Sequence, residues 1–350
     1  GHRGIMPHPS PALLRSCVAV IQSIPNGENS GCNAEVLMSR SQYILRRLVQ
    51  MIPVLFGITL IIFVMIRAIP GDPATTMLGE KATDEKIAIM REKLGLNEPL
   101  YMQYLYYMRD LVQLDLGEST RYRVPVNSII WDRLQVSLSI MVMTTLLTTL
   151  ISVPLGILAA LKKDSLLDNT VRSVLMVTLL MPTFYTGILL IIALSIKVDL
   201  FPVSGYGEGI TGRLRHLFLP SLTLALGIAP ILIRTLRTSI LEAMTSDYVK
   251  TARSKGLGEQ VVIVRHVLRN ALIPTVTLLG ISIGGIIGGT VVTEKVFALP
   301  GAGALLVDSI GSRDYATVQA AVMIVAILVV VVNLLTDIIY SFIDPRVRLG

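Results

Sequence analysis

Cysteine is confined to Cys17 and Cys32, so the rest of the 350-residue chain has no thiol to offer. That removes disulfide scaffolds, thiol catalysis and cysteine-based metal sites from residues 38–350. Charge is scarce as well: 16% of the residues are Asp, Glu, Lys or Arg, against about 25% in soluble domains. Together with 52% hydrophobic residues and a mean hydropathy of +0.67, that shortage excludes a soluble globular protein. Glycine (27) and proline (17) stand at ordinary levels, which sets aside collagen-like and low-complexity chains. The remaining class is a polytopic membrane protein. The formal charge of +7 then reads as cytoplasmic anchoring charge, and no nucleic-acid partner is expected.

Catalytic sets are missing too. Outside the first 37 residues the histidines are His216 and His266, which fall on opposite sides of the topology below, and no H-E-x-x-H helix exists. An intramembrane metalloprotease is thereby excluded. Ser204, Ser221 and Ser239 have no histidine at matching depth, which leaves only a Ser/Lys dyad formally open. Glycine never precedes lysine, so there is no G-x-x-x-x-G-K-[ST] loop and the chain does not bind ATP in that way. No span is expected to carry a charge near its middle. Asp337, close to the end of the last span, is the nearest exception and reads as a packing carboxylate at the cytoplasmic boundary. This argues against a proton pump, an ion-coupled carrier or a voltage sensor.

What is present is a series of apolar runs. A crossing needs about 20 mostly apolar residues, and six segments qualify: 48–66, 136–161, 171–196 with Pro182, 217–241 with Pro220 and Pro230, 272–292, and 318–343. The prolines are expected to kink these helices without breaking them. Basic residues orient the chain. Arg40, Arg46 and Arg47, then Lys162, Lys163 and Arg172, then Lys250, Arg253, Lys255, Arg265 and Arg269, and finally Arg346 and Arg348 all fall on one side. Both termini are therefore expected to be cytoplasmic.

The long connection at 67–133 then lies outside. It reads as structured: Asp84 and Glu85 open a short helix with Ile87, Met90 and Leu94 on one face and Gly95 as its stop, and a second helix follows Pro99. In that second helix Tyr101, Tyr104, Leu105, Met108, Leu111 and Val112 form a stripe expected to pack within a small extracytoplasmic cap, with the membrane surface or an external partner as the alternative. The expected organisation is a disordered leader or expression-derived extension at 1–37, the first transmembrane helix and cap at 38–130, a five-helix core at 131–343, and a cytoplasmic tail at 344–350.

The most distinctive segment is the polar connection at 242–270. Thr245, Ser246 and Asp247 offer a helix start, and Gly256, Leu257 and Gly258 a stop, so a helix of about two turns is expected over 248–255. Thr251 and Ala252 are small enough to leave room for a partner. A second helical stretch at 260–270 leads through Pro274 into the fifth span.

The string DYVKTARSKGL at 247–257 resembles the cytoplasmic "EAA" loop in permease subunits of binding-protein-dependent ABC importers, in the variant of the dipeptide, oligopeptide and nickel permeases. RHVLRNALIP at 265–274, IPGDP at 69–73, PVSG at 202–205, FALPG at 297–301 and DPR at 344–346 are also similar. Where the wider importer pattern has Glu-Ala-Ala, this chain has Lys250, Thr251 and Ala252, while Gly256 is kept, which fits the peptide-type branch.

The resemblance implies an all-α, six-helix type I ABC importer fold in a bacterial cytoplasmic membrane. It implies that the short helix docks on an ATPase through Asp247, Tyr248, Thr251, Ala252, Lys255, Gly256 and Leu257. The implied partners are a second, related permease, two cytoplasmic ATPases that hold ATP and Mg, an extracytoplasmic substrate-binding protein and membrane lipid, with no cofactor and no catalysis in this chain. Substrate would pass between the third, fourth and fifth spans, where Pro182 marks a kink and Gly280, Gly284, Gly285, Gly288 and Gly289 serve helix packing or line the pathway. Di- or oligopeptides are the expected cargo, with nickel or glutathione as the alternative. A stand-alone carrier or channel would need internal symmetry or buried charge.

Overall fold

The computed structural model of the chain describes residues 40–68, 73–78, 82–93 and 95–343. The leader with both cysteines, residues 69–72 and residues 344–350 lie outside the described residues, as does the Asp337 side chain. The described chain is built of helices: α1 (Arg40–Ala68), α2 (Pro73–Leu78), α3 (Asp84–Lys93), α4 (Leu100–Val112), α5 (Val126–Leu161), α6 (Leu166–Leu180) and α7 (Thr183–Leu190). They are followed by α8 (Gly209–Thr245), α9 (Asp247–Ser254), α10 (Glu259–Val261), α11 (Arg269–Val296), α12 (Ala302–Gly311) and α13 (Tyr315–Ile343). Wider π-helical turns extend α7 over Ile191–Ile196 and join α10 to α11 over Val262–Leu268.

Five of these helices are long and apolar enough to cross a membrane, or six if the pair α6 and α7 forms one span. That pair corrects the expectation of a merely kinked third span. Leu166–Leu180 and Thr183–Ile196 meet at 112°. Met181 is extended (φ −78°, ψ 128°) ahead of Pro182, because the proline ring disfavours helical geometry in the residue before it. Pro220 and Pro230, by contrast, lie inside the unbroken α8. The second helical stretch of the polar connection is not separate either, since residues 259–296 run as one continuous rod with Pro274 inside it.

The centre of the fold is the contact between α5 and α8. In a membrane no hydrophobic gradient drives helices together, so small residues that let backbones approach carry the association. Helix α5 supplies them every fourth position: Thr144, Thr148, Ser152, Gly156 and Ala160 are all buried. A β-carbon on Gly156 would lie 2.9 Å from Leu236 Cδ2 of α8. At one end of the bundle Val136, Ile140, Leu217, Leu219, Phe297 and Leu299 close the core, and at the other Ala160, Leu236, Ile240, Val249, Val262 and Val267 do so.

Helix α1 stands outside this core. It packs through Ile62 and Ile66 on Met323 of α13 and through an aromatic cluster on α4. There Phe63 lies edge-on to Tyr104 at 5.3 Å, Thr59 Oγ1 and Tyr104 OH share a 2.8 Å hydrogen bond, and Arg67 Nε donates to Gln103 Oε1 at 2.8 Å. The α4 stripe divides accordingly. Tyr104 and Leu111 pack on the bundle, whereas Tyr101, Leu105 and Val112 stay exposed.

Candidate functional site: the α9 elbow and the ends of the bundle

Helix α9 is amphipathic. Val249 and Ala252 turn inward onto Leu236, Ile240 and Val262, which seats the helix on its own chain. The opposite face carries Asp247, Tyr248, Thr251 and Lys255. Ala252 is therefore placed otherwise than expected: its small side chain packs toward α8 and the π-helical turns at Val262–Leu268, and it is 5% exposed. The other six residues anticipated for this site share the open face or the turn that ends it.

That turn is a Schellman motif. The Leu257 amide donates to the Ala252 carbonyl at 3.4 Å, and the Gly256 amide donates to the Arg253 carbonyl at 2.9 Å. Gly256 occupies the left-handed position (φ +76°) with open space above its α-carbon, where a side chain is costly and glycine is not. Across the turn Arg253 grips Glu259 with two hydrogen bonds, 2.5 Å and 3.1 Å, and this partner raises the Arg253 pKa above its ordinary value. Both side chains are solvent-exposed, so the pair adds orientation more than stability.

A little over two turns before the end of α8 the structure holds a pair that the sequence reading overlooked. Asp168, in the first turn of α6, is fully buried and receives Arg237 Nε at 2.8 Å and Arg237 Nη2 at 2.6 Å, together with the Asp164 amide at 3.0 Å. Arg237 and its neighbour Arg234 both lie within α8. The expectation that only Asp337 comes close to being a charge inside a span is corrected by these two arginines.

The far end of the bundle is organised by two buried acids. Asp314 caps α13 by accepting from the Thr317 amide (3.3 Å) and hydroxyl (2.8 Å), and it also receives Ser119 Oγ at 2.5 Å, which ties the 118–125 loop to α13. Glu294, near the end of α11, receives Ser137 Oγ of α5 at 2.6 Å and the Ala304 amide of α12 at 2.8 Å. The turn at 297–301 that it supports meets the 202–205 turn, where the Gly205 amide donates to the Phe297 carbonyl at 3.2 Å.

The glycine run of α11 separates into two kinds. β-Carbons on Gly280 and Gly284 would meet Thr336 Cγ2 at 2.3 Å and Asn333 Oδ1 at 2.7 Å, so these glycines seat α11 on α13. Gly285 and Gly288 face open space. Gly280→Val is accordingly expected to destabilise the chain by about 1–3 kcal/mol through overpacking, and Gly288→Ala to leave it unchanged. Thermal unfolding of the two variants in detergent distinguishes them. Pro182 lies at the α6–α7 break and not on either glycine face.

Comparison with known proteins agrees with this architecture. Two family models match: "Binding-protein-dependent transport system inner membrane component" over residues 152–349, and the N-terminal component of the same systems over residues 40–141. The chain is 41% identical over 312 residues to the oligopeptide transport system permease protein AppB of Bacillus subtilis, covering 87% of this chain and 99% of that protein. It is 36% identical over 334 residues to the dipeptide transport system permease protein DppB of Escherichia coli K12, covering 88% and 98%. The glutathione transport system permease protein GsiC of Escherichia coli O6:H1 is 36% identical over 306 residues, with 87% and 98% covered. In fold the chain is similar to the MetNI methionine ABC transporter in its inward-facing conformations, with a TM-score of 0.50, 16% identity, and coverage of 60% of this chain and 94% of that one. With two family models matching nearly the whole described chain, this multi-pass protein belongs to the inner-membrane components of binding-protein-dependent transport systems, the permease subunits of ABC importers.

Proposed function

We infer that the chain is one of two transmembrane subunits of an ATP-driven importer of di- or oligopeptides. The observation that carries the transport reading is α9, a helix held rigidly to α8 by Val249 and Ala252 while its opposite face is left open. Two cytoplasmic ATPases that bind ATP and Mg would grip Asp247, Tyr248, Thr251, Lys255, Gly256 and Leu257. Because α9 follows directly on α8, their closure would move the spans as rigid bodies and alternate access to a pathway shared with a second, related permease. An extracytoplasmic binding protein would deliver substrate to the turns at 202–205 and 297–301. With α9 cytoplasmic, the start of α1 is cytoplasmic as well. This chain holds no cofactor in the reading. The five-helix core at 131–343 would form the pathway, with α1 and the cap at 38–130 added to it.

The peptide class rests on the relatives named above. A second reading, glutathione, is favoured by the resemblance to GsiC, and glutathione is itself a tripeptide. The test is reconstitution with both ATPases, the second permease and the binding protein. Gly256→Asp, and separately removal of residues 248–255, are expected to abolish ATP-driven peptide uptake and to weaken ATPase association while membrane insertion is kept. Uptake and association that survive both changes would falsify the coupling role of α9.

A further inference from the structure

Helix α8 is the most enclosed of the spans, with 61% of its apolar window buried, against 22–33% in the other unbroken spans. Its uncovered face is narrow and regular. Gly227, Ile231, Arg234, Thr238 and Glu242 are all exposed and recur at steps of four, three, four and four, which places them on one stripe of the helix. Arg234 makes no hydrogen bond or ion pair among the described residues, although Arg237, one turn on, turns inward to Asp168. Beside this stripe lies the open side of α11. Gly289 packs against Leu224 of α8, with a β-carbon to Cδ2 distance of 3.0 Å, while Gly227, Gly285 and Gly288 have nothing within 4 Å of theirs.

The stripe does not have the composition of a lipid-facing surface. The exposed side of α1 is Ile52, Phe56, Leu60, Ile61, Val64 and Met65, apolar throughout. Within 217–241 the α8 stripe instead presents an unpaired guanidinium, a hydroxyl and a bare glycine beside Ile231, and Glu242 follows at the cytoplasmic boundary. An arginine facing hydrocarbon costs about 2.5–3.5 kcal/mol at the centre of a span on the mildest scales and less toward its end, and the cost is avoided where the face is wet. We propose that the open face of α8 lines the aqueous substrate pathway and that Arg234 receives the terminal carboxylate of the transported peptide. This rests on the peptide reading above. A guanidinium presents parallel N–H donors that match the two oxygens of a carboxylate, and every linear peptide ends in one. In a pathway otherwise poor in fixed charge, that single contact separates peptides from uncharged solutes of the same size.

The test uses the complete transporter in proteoliposomes, with trialanine and trialanine amide supplied at concentrations that saturate the binding protein. Arg234→Gln is expected to lower trialanine uptake about tenfold or more, the worth of one hydrogen-bonded charge pair, and to leave trialanine amide uptake unchanged. Arg234→Lys should retain part of the preference for the free carboxylate. Thr238→Cys, made with Cys17→Ser and Cys32→Ser, is expected to react with a charged thiol reagent and to be protected by trialanine. Equal loss of both peptides overturns the proposal. So does release of the second permease from the Arg234→Gln complex, which would assign Arg234 to the subunit interface, and so does a Thr238→Cys thiol that fails to react. If the unaltered transporter moves neither peptide, the peptide reading itself fails, while the thiol reaction still reports whether the face is wet.

Discussion

Replacing Arg237 with alanine is expected to destabilise the chain by about 3–5 kcal/mol, the scale for removing one member of a buried ion pair. Asp168 is fully buried, and Arg237 satisfies both of its oxygens in the two-pronged geometry that only a guanidinium offers. With Arg237 gone, the nearest remaining cation is Arg172, whose Nε lies 3.7 Å from the carboxylate and whose side chain is half exposed, too weakly held to compensate. Asp168→Ala should fail similarly, because it leaves the Arg237 guanidinium without its partner. Arg237→Lys keeps the charge but loses the second hydrogen bond, so it should fall between. The neutral pair Asp168→Asn with Arg237→Gln is expected to be milder than either alanine variant, since it strands no charge. Folded yield and unfolding temperature in detergent measure all four. Alanine variants as stable as the parent would show that water reaches the pair and that it holds nothing.

The consequence for transport follows from where the pair sits. Arg237 lies on α8 shortly before α9, and Asp168 lies in the first turn of α6, the arm that the Met181–Pro182 break sets at 112° to α7. The ion pair is thus the polar fastening between the helix that leads into the α9 elbow and the bent arm beside it. In the proposed cycle a displacement of α9 would be carried along α8, and the α6 arm would be tied to that motion through Asp168.

Local signals in the sequence were readable because local physics makes them. Ser246 ahead of Asp247 and Gly256 after Lys255 bound α9, and the left-handed Gly256 is what ends a helix in a Schellman turn. Asp84 with Glu85 and the stop at Gly95 placed α3 in the same way, and the proline at position 99 placed α4. The resemblance carried by 247–257 led to the family. What stayed hidden is long-range. Asp168 and Arg237 are 69 residues apart, and no periodicity links them; only the packing of α6 on α8 does. Pro182 and Pro220 look alike in sequence, but Met181 takes an extended conformation where the chain around Pro220 stays helical. The inward turn of Ala252 could not be told from the outward turn of Thr251, because both are small and neighbouring. The four-residue rhythm of small residues in α5 was the one long-range signal available, since close helix packing requires it.

Gly301→Ala is the second change expected to have a large effect, at the far end of the bundle. A methyl group at this position would sit 2.1 Å from Glu294 Cδ and 2.3 Å from both carboxyl oxygens. Glu294 cannot yield freely, because Ser137 Oγ and the Ala304 amide hold it from two other helices. Either those hydrogen bonds break or the 297–301 turn moves, and overpacking of this kind costs about 1–3 kcal/mol. Glu294→Ala relieves the contact but strands the Ala304 amide, at about 1–3 kcal/mol for a buried group left unpaired, and leaves Ser137 Oγ with the Ala302 amide at 2.9 Å and the longer Arg133 carbonyl contact at 3.5 Å. Glu294→Gln should be milder, since its amide oxygen still accepts from Ala304 and its NH2 can donate to Ser137 Oγ. The same variants should also lower uptake more than they lower ATPase association, because the displaced turn meets the 202–205 turn through the Phe297 carbonyl, at the end of the bundle opposite α9. Unfolding temperature, uptake and ATPase pull-down on one set of preparations separate these effects. If Gly301→Ala and Glu294→Ala are both silent in all three, the Glu294 carboxyl is not what holds α5, α11 and α12 together.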